Sequence, residues 1–173
     1  SDLALDPKAY RKAVALLAES EFIDIFGVEN SLTPAMDLFT KLGYLGLTCR
    51  LNTDAYLQQI GAGHLPHGAV AVAFSHSGSS ADTVKALRLA KSHGAKTIAI
   101  TNAIGAPLAS WADVTLLTGR DSHTIYGNAI FSRVADTALV DMLYMGVILS
   151  DYGRFSTALD ESGRMIRDRV FEN

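Results

Sequence analysis

The chain is predicted to fold as an α/β protein around a parallel sheet. Three observations carry that prediction. Short apolar runs of strand length alternate with amphipathic helical patterns from residue 6 to residue 118. The run Ala69-Val-Ala-Val-Ala-Phe74 is continuously apolar instead of alternating, as in a strand covered on both faces. At 173 residues, the chain has room for one domain with a full core. A chain of that size buries roughly 70% of its unfolded surface.

Asp6-Pro7 opens the first helix, with Asp as cap and Pro at the first helical position; Tyr10, Val14 and Leu17 give it an apolar stripe. Phe22 to Val28 is the first strand. Ser31 is expected to cap a second helix with Leu32, Ala35, Phe39 and Leu42 on one face, stopped by Gly43. A short strand, Leu47 to Leu51, follows. Asn52 is expected to cap a third helix bearing Ala55, Tyr56 and Ile60, which ends in Gly61-Ala62-Gly63. The third strand, 69–74, leads through Ser75 to Ser80 into a helix from Ala81 to His93, stopped by Gly94. Lys96 to Thr101 and Val114 to Thr118 are the fourth and fifth strands.

A polar loop from Gly119 to Gly127 precedes a long helix, from about Asn128 to Ser150. That helix is apolar on more than one face, through Phe131, Val134, Leu139, Met142, Leu143 and Val147. One layer of sheet covers one side, so a second subunit is expected to cover another. Phe155 to Asn173 reads as a charged, exposed C-terminal helix. The expected organisation is a single domain over residues 1–173, with an N-terminal helical arm (1–20) and a C-terminal helix (155–173).

Composition narrows the function. A net charge of −3 gives no general attraction to nucleic acid or anionic membrane. One cysteine, Cys49, excludes an internal disulfide framework and a cysteine-cluster zinc site; its simplest role is a buried thiol beside a strand. No uncharged apolar run reaches the roughly 18 residues that span a membrane, and no signal peptide is visible. The expected compartment is the cytoplasm. The chain starts at Ser1, as a piece of a longer protein would.

Ser75-His76-Ser77-Gly78-Ser79-Ser80 is the most informative segment. A buried strand, then a Ser-rich turn with one glycine, then a helix start, makes an anion-binding arrangement. N–H groups at the helix start have no intrahelical partner, and the helix dipole favours negative charge there. Four hydroxyls add donors without charge, and the loop has no Lys or Arg. The natural guest is a phosphate monoester. Open parallel sheets bind ligands beyond the carboxyl ends of their strands, and the other ends carry Ser31, Thr53, Thr101-Asn102 and Ser122-His123-Thr124. Together they suit a polyol phosphate.

Rival phosphate sites fit less well. Dinucleotide binding needs Gly-x-Gly-x-x-Gly after the first strand and an acid after the second; here those places read Gly27-Val28-Glu29-Asn30-Ser31 and Cys49-Arg50-Leu51. A flavin loop of the flavodoxin type would follow the first strand, not the third. No cofactor is expected. Of the five histidines, His64 and His67 flank Pro66 in poor zinc geometry, so no metal site is expected. His76, inside the Ser loop, and His123, at the fifth strand end, are the two placed near a ligand.

The run Phe74-Ser-His-Ser-Gly-Ser-Ser-Ala-Asp-Thr-Val-Lys-Ala-Leu87 resembles the signature of sugar isomerase (SIS) domains. Ile25-Phe26-Gly27-Val28 with Ser31 is similar to the family's first-strand turn, and 94–102 and 107–114 to its fourth and fifth strand regions. Within the family, the C-terminal effector domains of RpiR-type bacterial transcription regulators are most similar, through Leu5-Asp6-Pro7, Ile23 to Gly27, the Ser-His-Ser-Gly form of the loop and the Arg133-containing long helix. The resemblance covers roughly residues 5–150. It implies a five-stranded parallel sheet flanked by helices in a three-layer αβα sandwich, a homodimer or tetramer, and a sugar phosphate as ligand. It further implies that Ser31, Ser75, Ser77 and Ser80 meet the phosphate and hydroxyls. The expected binding set is these four with His76, Gly78, Ser79, Glu29, Thr101 and His123. Glu29-Asn30 departs from the Gly and small residue common at the first turn; an acid there suits sugar hydroxyls or an amino group and narrows the pocket.

Aldose–ketose isomerisation needs a base, usually Glu. Between Glu29 and Glu161 the chain has no glutamate. Asp82, in the first turn of the phosphate helix, reads as a capping acid. A phosphate loop kept without its base is the pattern of a sensor, so the expected function is effector sensing in an RpiR-type regulator, with a sugar-phosphate isomerase as the alternative. DNA would be bound only through a separate module, for which this chain has neither a basic patch nor a helix-turn-helix.

Overall fold

The computed structural model describes residues 5–119 and 134–171. Helix α1 (Pro7–Ala18) leads to β1 (Phe22–Phe26), α2 (Leu32–Tyr44), β2 (Cys49–Arg50) and α3 (Ala55–Ala62). Then come β3 (Ala69–Phe74), α4 (Ala81–Ser92), β4 (Lys96–Thr101), β5 (Val114–Leu117), α5 (Val134–Ser150) and α6 (Tyr152–Met165). The five strands form one parallel sheet in the order β2-β1-β3-β4-β5. Each predicted strand is present; β1 and β5 end earlier than expected and β2 is shorter at both ends. β1 stops at Phe26, and the chain passes through one 3₁₀ turn, Glu29–Ser31, before α2. β2 keeps only two residues because its outer side is an edge.

The sheet separates two cores of different texture. One face carries Ile23, Ile25, Val70, Val72, Phe74, Ile98 and Ile100, packed against α1, α2 and α5. Leu17 of α1 and Phe155 of α6 are fully buried on that side. The predicted exposed C-terminal helix is therefore anchored at its start: Asp151 caps it, and it ends at Met165 before one further turn, Arg167–Arg169. The other face is rich in alanine, with Phe26, Leu87 and Leu108 as its large buried side chains. Ala69, Ala71 and Ala73 of β3 and Ala99 of β4 meet Ala62 of α3 and Ala86 and Ala90 of α4. Methyl-sized side chains let α3 and α4 lie close to the sheet.

Two polar clusters pin the sheet edges. At the β1–β2 edge Arg50 donates to both carboxylate oxygens of Asp24, at 3.2 and 2.6 Å. Asp24 is 1% exposed, and burial pushes its carboxyl above the usual range while the Arg50 guanidinium pulls against that shift. The half-buried Cys49 thiol is pushed up to about 12 by burial. At the β4–β5 edge Asp113 accepts from Lys91 Nζ at 2.8 Å and from the Thr97 backbone N–H at 2.9 Å.

The start of the predicted long helix, before Val134, lies outside the described residues, as does His123. From Val134 onward α5 buries Leu139, Val140, Leu143, Val147 and Ile148 and leaves Val134, Ala138, Met142, Met145 and Leu149 in solvent. Among the described residues no helix is long and apolar enough to cross a membrane.

Candidate functional site

The strand order places the site. After β1 the chain moves to the outer neighbour β2; after β3 it moves the other way, to β4. The helices that follow them, α2 and α4, therefore pack on opposite faces of the sheet. Between β1 and β3 their starts diverge and leave a crevice at the carboxyl ends of both strands, where ligands bind in such sheets. A cavity of about 390 Å³ occupies it, lined by Val28, Glu29, Asn30 and Ser31 on one side and by residues 74–77 and 79–82 on the other.

Three carbonyls of the Ser loop are bonded to backbone N–H groups. Ser75 O accepts from Gly78 N at 3.1 Å, His76 O from Asn102 N at 3.0 Å, and Gly78 O from Leu108 N at 2.9 Å. Thr101 Oγ1 also donates to His76 O, at 3.2 Å. His76 O and Gly78 O are thus tied to the β4 side and Ser75 O is used within the loop, while Ser75, Ser77, Ser79 and Ser80 line the cavity. Gly78 makes the turn possible, at φ 65°. Ser77 Oγ accepts from Ser79 N at 3.1 Å, which folds the loop tip over its own side chain.

Capping distinguishes the helices around the cavity from those elsewhere. Asp6, Asp54 and Asp151 cap α1, α3 and α6 with their side chains. Ser31 and Ser80 stand at the cap positions of α2 and α4, and neither makes a side-chain cap hydrogen bond. Both line the cavity. The expected capping by Ser31 is thus not made: its backbone is already helical, at φ −74° and ψ −12°, so its hydroxyl does not reach the next turn's N–H groups. The first backbone N–H groups of α4 precede any intrahelical acceptor, since the first bond of the helix runs from Val84 N to Ser80 O.

The cavity thus gathers Ser31, Ser75, His76, Ser77, Ser79, Ser80 and Glu29. Gly78 and Thr101 stand behind the loop and shape it. His123 lies outside the described residues. His76 sits with its Nε2 3.4 Å from the Asn102 amide. No lining residue is Lys or Arg, and two, Glu29 and Asp82, are acids. Asp82 is the acid of the first turn of α4, as expected, and its Oδ1 also accepts from Gln59 Nε2 at 2.8 Å.

Sequence reasoning missed three contributors. Asp54, not Asn52, caps α3, through Tyr56 N at 2.6 Å and Leu57 N at 3.2 Å. Asn30 completes the first-turn wall. Gln58, 2% exposed, holds that wall from behind through both backbone groups of Gly27. A single Gln on a helix carries no periodic signal; only the fold brings it to the turn. Among the described residues no cluster of three or more His, Cys, Asp or Glu is arranged to hold a metal.

Comparison with known proteins follows this geometry. A transcriptional regulator of the HTH type from Caldanaerobacter subterraneus subsp. tengcongensis, itself uncharacterized, is 30% identical over 98% of this chain and 60% of its own length. The HTH-type regulator RpiR of Escherichia coli K12 is 26% identical over 83% of this chain and 48% of its own length. The chain therefore spans about half to three-fifths of these relatives. Among solved structures, the Vibrio vulnificus NanR protein complexed with ManNAc-6P superposes with a TM-score of 0.90 at 25% identity, covering 98% of this chain and 64% of NanR. The sugar isomerase domain of an RpiR transcription factor from Sphaerobacter thermophilus shares the fold, with a TM-score of 0.81 at 24% identity, over 92% of this chain and 88% of its own. The SIS domain model matches residues 16–146, which hold the sheet and both walls of the cavity. A switch-point crevice closed by a Ser-Gly loop, on a sheet that this model spans, places the chain in the SIS domain family.

Proposed function

We propose that this chain is the sugar-phosphate-sensing part of an RpiR-type transcription regulator. The observation that carries the reading is the pair of uncapped helix starts. Ser31 and Ser80 occupy cap positions without capping, and both line one cavity, beside a loop whose His76 and Gly78 carbonyls are bonded to the β4 side. The phosphate sits on the α4 start among Ser75, Ser77, Ser79 and Ser80, and the sugar extends toward Ser31, Glu29 and Asn30. NanR, with 25% identity and a TM-score of 0.90, was solved with a sugar phosphate, which supports the ligand class. The relatives are HTH-type regulators longer than this chain, which supports DNA contact through a module outside it.

A second copy covers α5. Val134, Ala138, Met142, Met145 and Leu149 repeat at three- and four-residue spacing along its exposed face. Tyr152, at the start of α6, extends the stripe. The protein works as a homodimer or larger assembly in this reading.

The test is calorimetry with ManNAc-6P, other hexose 6-phosphates and the matching free sugars. Charge-assisted hydrogen bonds contribute roughly 1.5–3 kcal/mol each, so phosphorylated sugars bind and the free sugars do not. Equal affinities for a phosphorylated and a free sugar would overturn the reading. A sensor leaves its ligand intact: no hydrogen exchange next to the carbonyl is expected by NMR in heavy water, and exchange above the protein-free rate would make the chain an isomerase.

A further inference from the structure

Helix α3 touches both walls of the cavity through two consecutive residues. Gln58 holds the first wall. Gly27 N donates to Gln58 Oε1 at 3.2 Å, and Gln58 Nε2 donates to Gly27 O at 2.8 Å and to Asn52 O at 2.7 Å. This is the hydrogen bonding that a longer β2 would give. The β1–β2 ladder ends at Asp24↔Arg50, and the Gln58 amide takes the place of the missing strand beside Gly27. Two residues further on, Glu29 adopts φ 54°, a left-handed conformation that costs a non-glycine residue about 1 kcal/mol. The turn that presents Glu29 to the cavity is thus held open by a buried amide.

Gln59 holds the second wall. It donates to Asp82, the second residue of α4 and a cavity-lining acid. An acid there competes with a ligand phosphate for the same helix start. The bond to Gln59 commits Asp82 Oδ1 to α3. Successive residues on a helix point about 100° apart, which is how one short helix reaches two walls.

We propose that Gln58 and Gln59 are positioning residues for the ligand, with Gln58 setting the sugar wall and Gln59 restraining Asp82 beside the phosphate seat. The proposal rests on the sugar-phosphate reading above. It assigns the two glutamines separable effects: Gln58 acts on the sugar half alone, and Gln59 acts on the phosphate through Asp82.

The experiment measures affinity of the 173-residue chain for ManNAc-6P and for inorganic phosphate, in wild type, Gln59→Ala, Asp82→Asn, the double variant and Gln58→Met. Gln59→Ala is expected to weaken both ligands about fivefold, the equivalent of one net hydrogen bond. In the Asp82→Asn background the same substitution is expected to change affinity less than about twofold. Gln58→Met is expected to weaken ManNAc-6P about tenfold and leave inorganic phosphate within about twofold. The proposal is overturned if Gln59→Ala leaves ManNAc-6P affinity unchanged, if its effect is the same in both backgrounds, or if Gln58→Met weakens both ligands equally. Should Gln58→Met fail to fold, the Gln59–Asp82 cycle decides alone, because both residues are on the surface side of the cavity. A wild type that binds neither ligand sinks the sugar-phosphate reading and this proposal with it; a wild type that binds, with variants that do not respond, sinks the proposal only.

Discussion

Gly78 lies directly against Ala106. A Cβ on Gly78 would collide with the Ala106 methyl and come within 2.9 Å of Thr101 Oγ1. The Ser loop is thus seated on the β4–β5 connection, with Leu108 N donating to Gly78 O as the fastening.

Gly78→Ala combines that collision with a left-handed backbone, so it is expected to cost about 2–4 kcal/mol and to abolish ligand binding. Gly105→Ala is the control. Its φ is 70° but nothing lies within 4 Å of the added carbon, so only the conformational cost, about 1 kcal/mol, is expected. Chemical denaturation of both variants checks this; equal losses would show that packing under the loop is unimportant.

Ser77→Ala removes a hydroxyl from the cavity wall that also accepts from Ser79 N. Affinity for a sugar phosphate is expected to fall about tenfold or more, with a melting temperature close to wild type, since one lost loop bond is worth about 1 kcal/mol. A large drop in melting temperature without loss of affinity would assign the hydroxyl to the fold instead of the ligand.

Asp113 gives the acid-side behaviour. Burial alone would raise its carboxyl, but Lys91 and the Thr97 backbone and hydroxyl donors outweigh that and hold it below the usual range. A carboxyl depressed in the folded state stabilises above its unfolded value, about 4, and that stability is lost as pH falls through the lower folded value. Asp113→Asn is therefore expected to lower stability by about 1–2 kcal/mol at pH 7. The gap to wild type should narrow below about pH 4. A gap that widens on acidification contradicts the assignment.

Leu149, 69% exposed, is the probe for assembly. Leu149→Asp is expected to shift sedimentation toward monomer while cooperative unfolding is retained. Val147→Asp, at a position with no exposure, is expected to unfold the chain and so reports on the core only. A stable wild-type monomer at micromolar concentration would refute the second-copy reading of the α5 stripe.

Thr83 Oγ1 is a buried side-chain atom in α4 with no hydrogen-bond partner. Thr83→Val keeps the shape and removes the unsatisfied hydroxyl. It is expected to raise stability by about 1 kcal/mol, or about 2–4 °C in Tm for a chain of this size.

The strands and the Ser-rich turn between β3 and α4 were legible in the sequence because they obey local rules. A both-faces-buried strand must be apolar throughout, and 69–74 is; a Ser-Gly turn at a helix start has few other uses. The first-turn wall was legible only in part. Glu29 stood out as an acid at an unusual place, but its left-handed backbone and its support by Gln58 depend on where α3 packs. Asn52 and Asp54 are both good caps within three residues, and local chemistry did not separate them. The capping expected of Ser31 failed because a 3₁₀ turn precedes α2, and no residue pattern in Glu29-Asn30-Ser31 announces it. Val147 and Met142 both read as apolar helix positions; only the packed sheet shows which one faces solvent.

The alanine face beneath α4 has a mechanical meaning. Alanine has no χ angle to rotate, so the contacts of Ala86 and Ala90 with Ala71, Ala73 and Ala99 have no rotamer change with which to follow a shift of the helix, and Phe26, Leu87 and Leu108 are the large side chains of that core that can repack. Helix, loop and central strands pack as one unit, and in the sugar-phosphate reading the phosphate is received at its edge. In that reading, a ligand-driven shift is taken up more readily at the Glu29 turn and the α3 helix that props it than among the alanine contacts beneath α4.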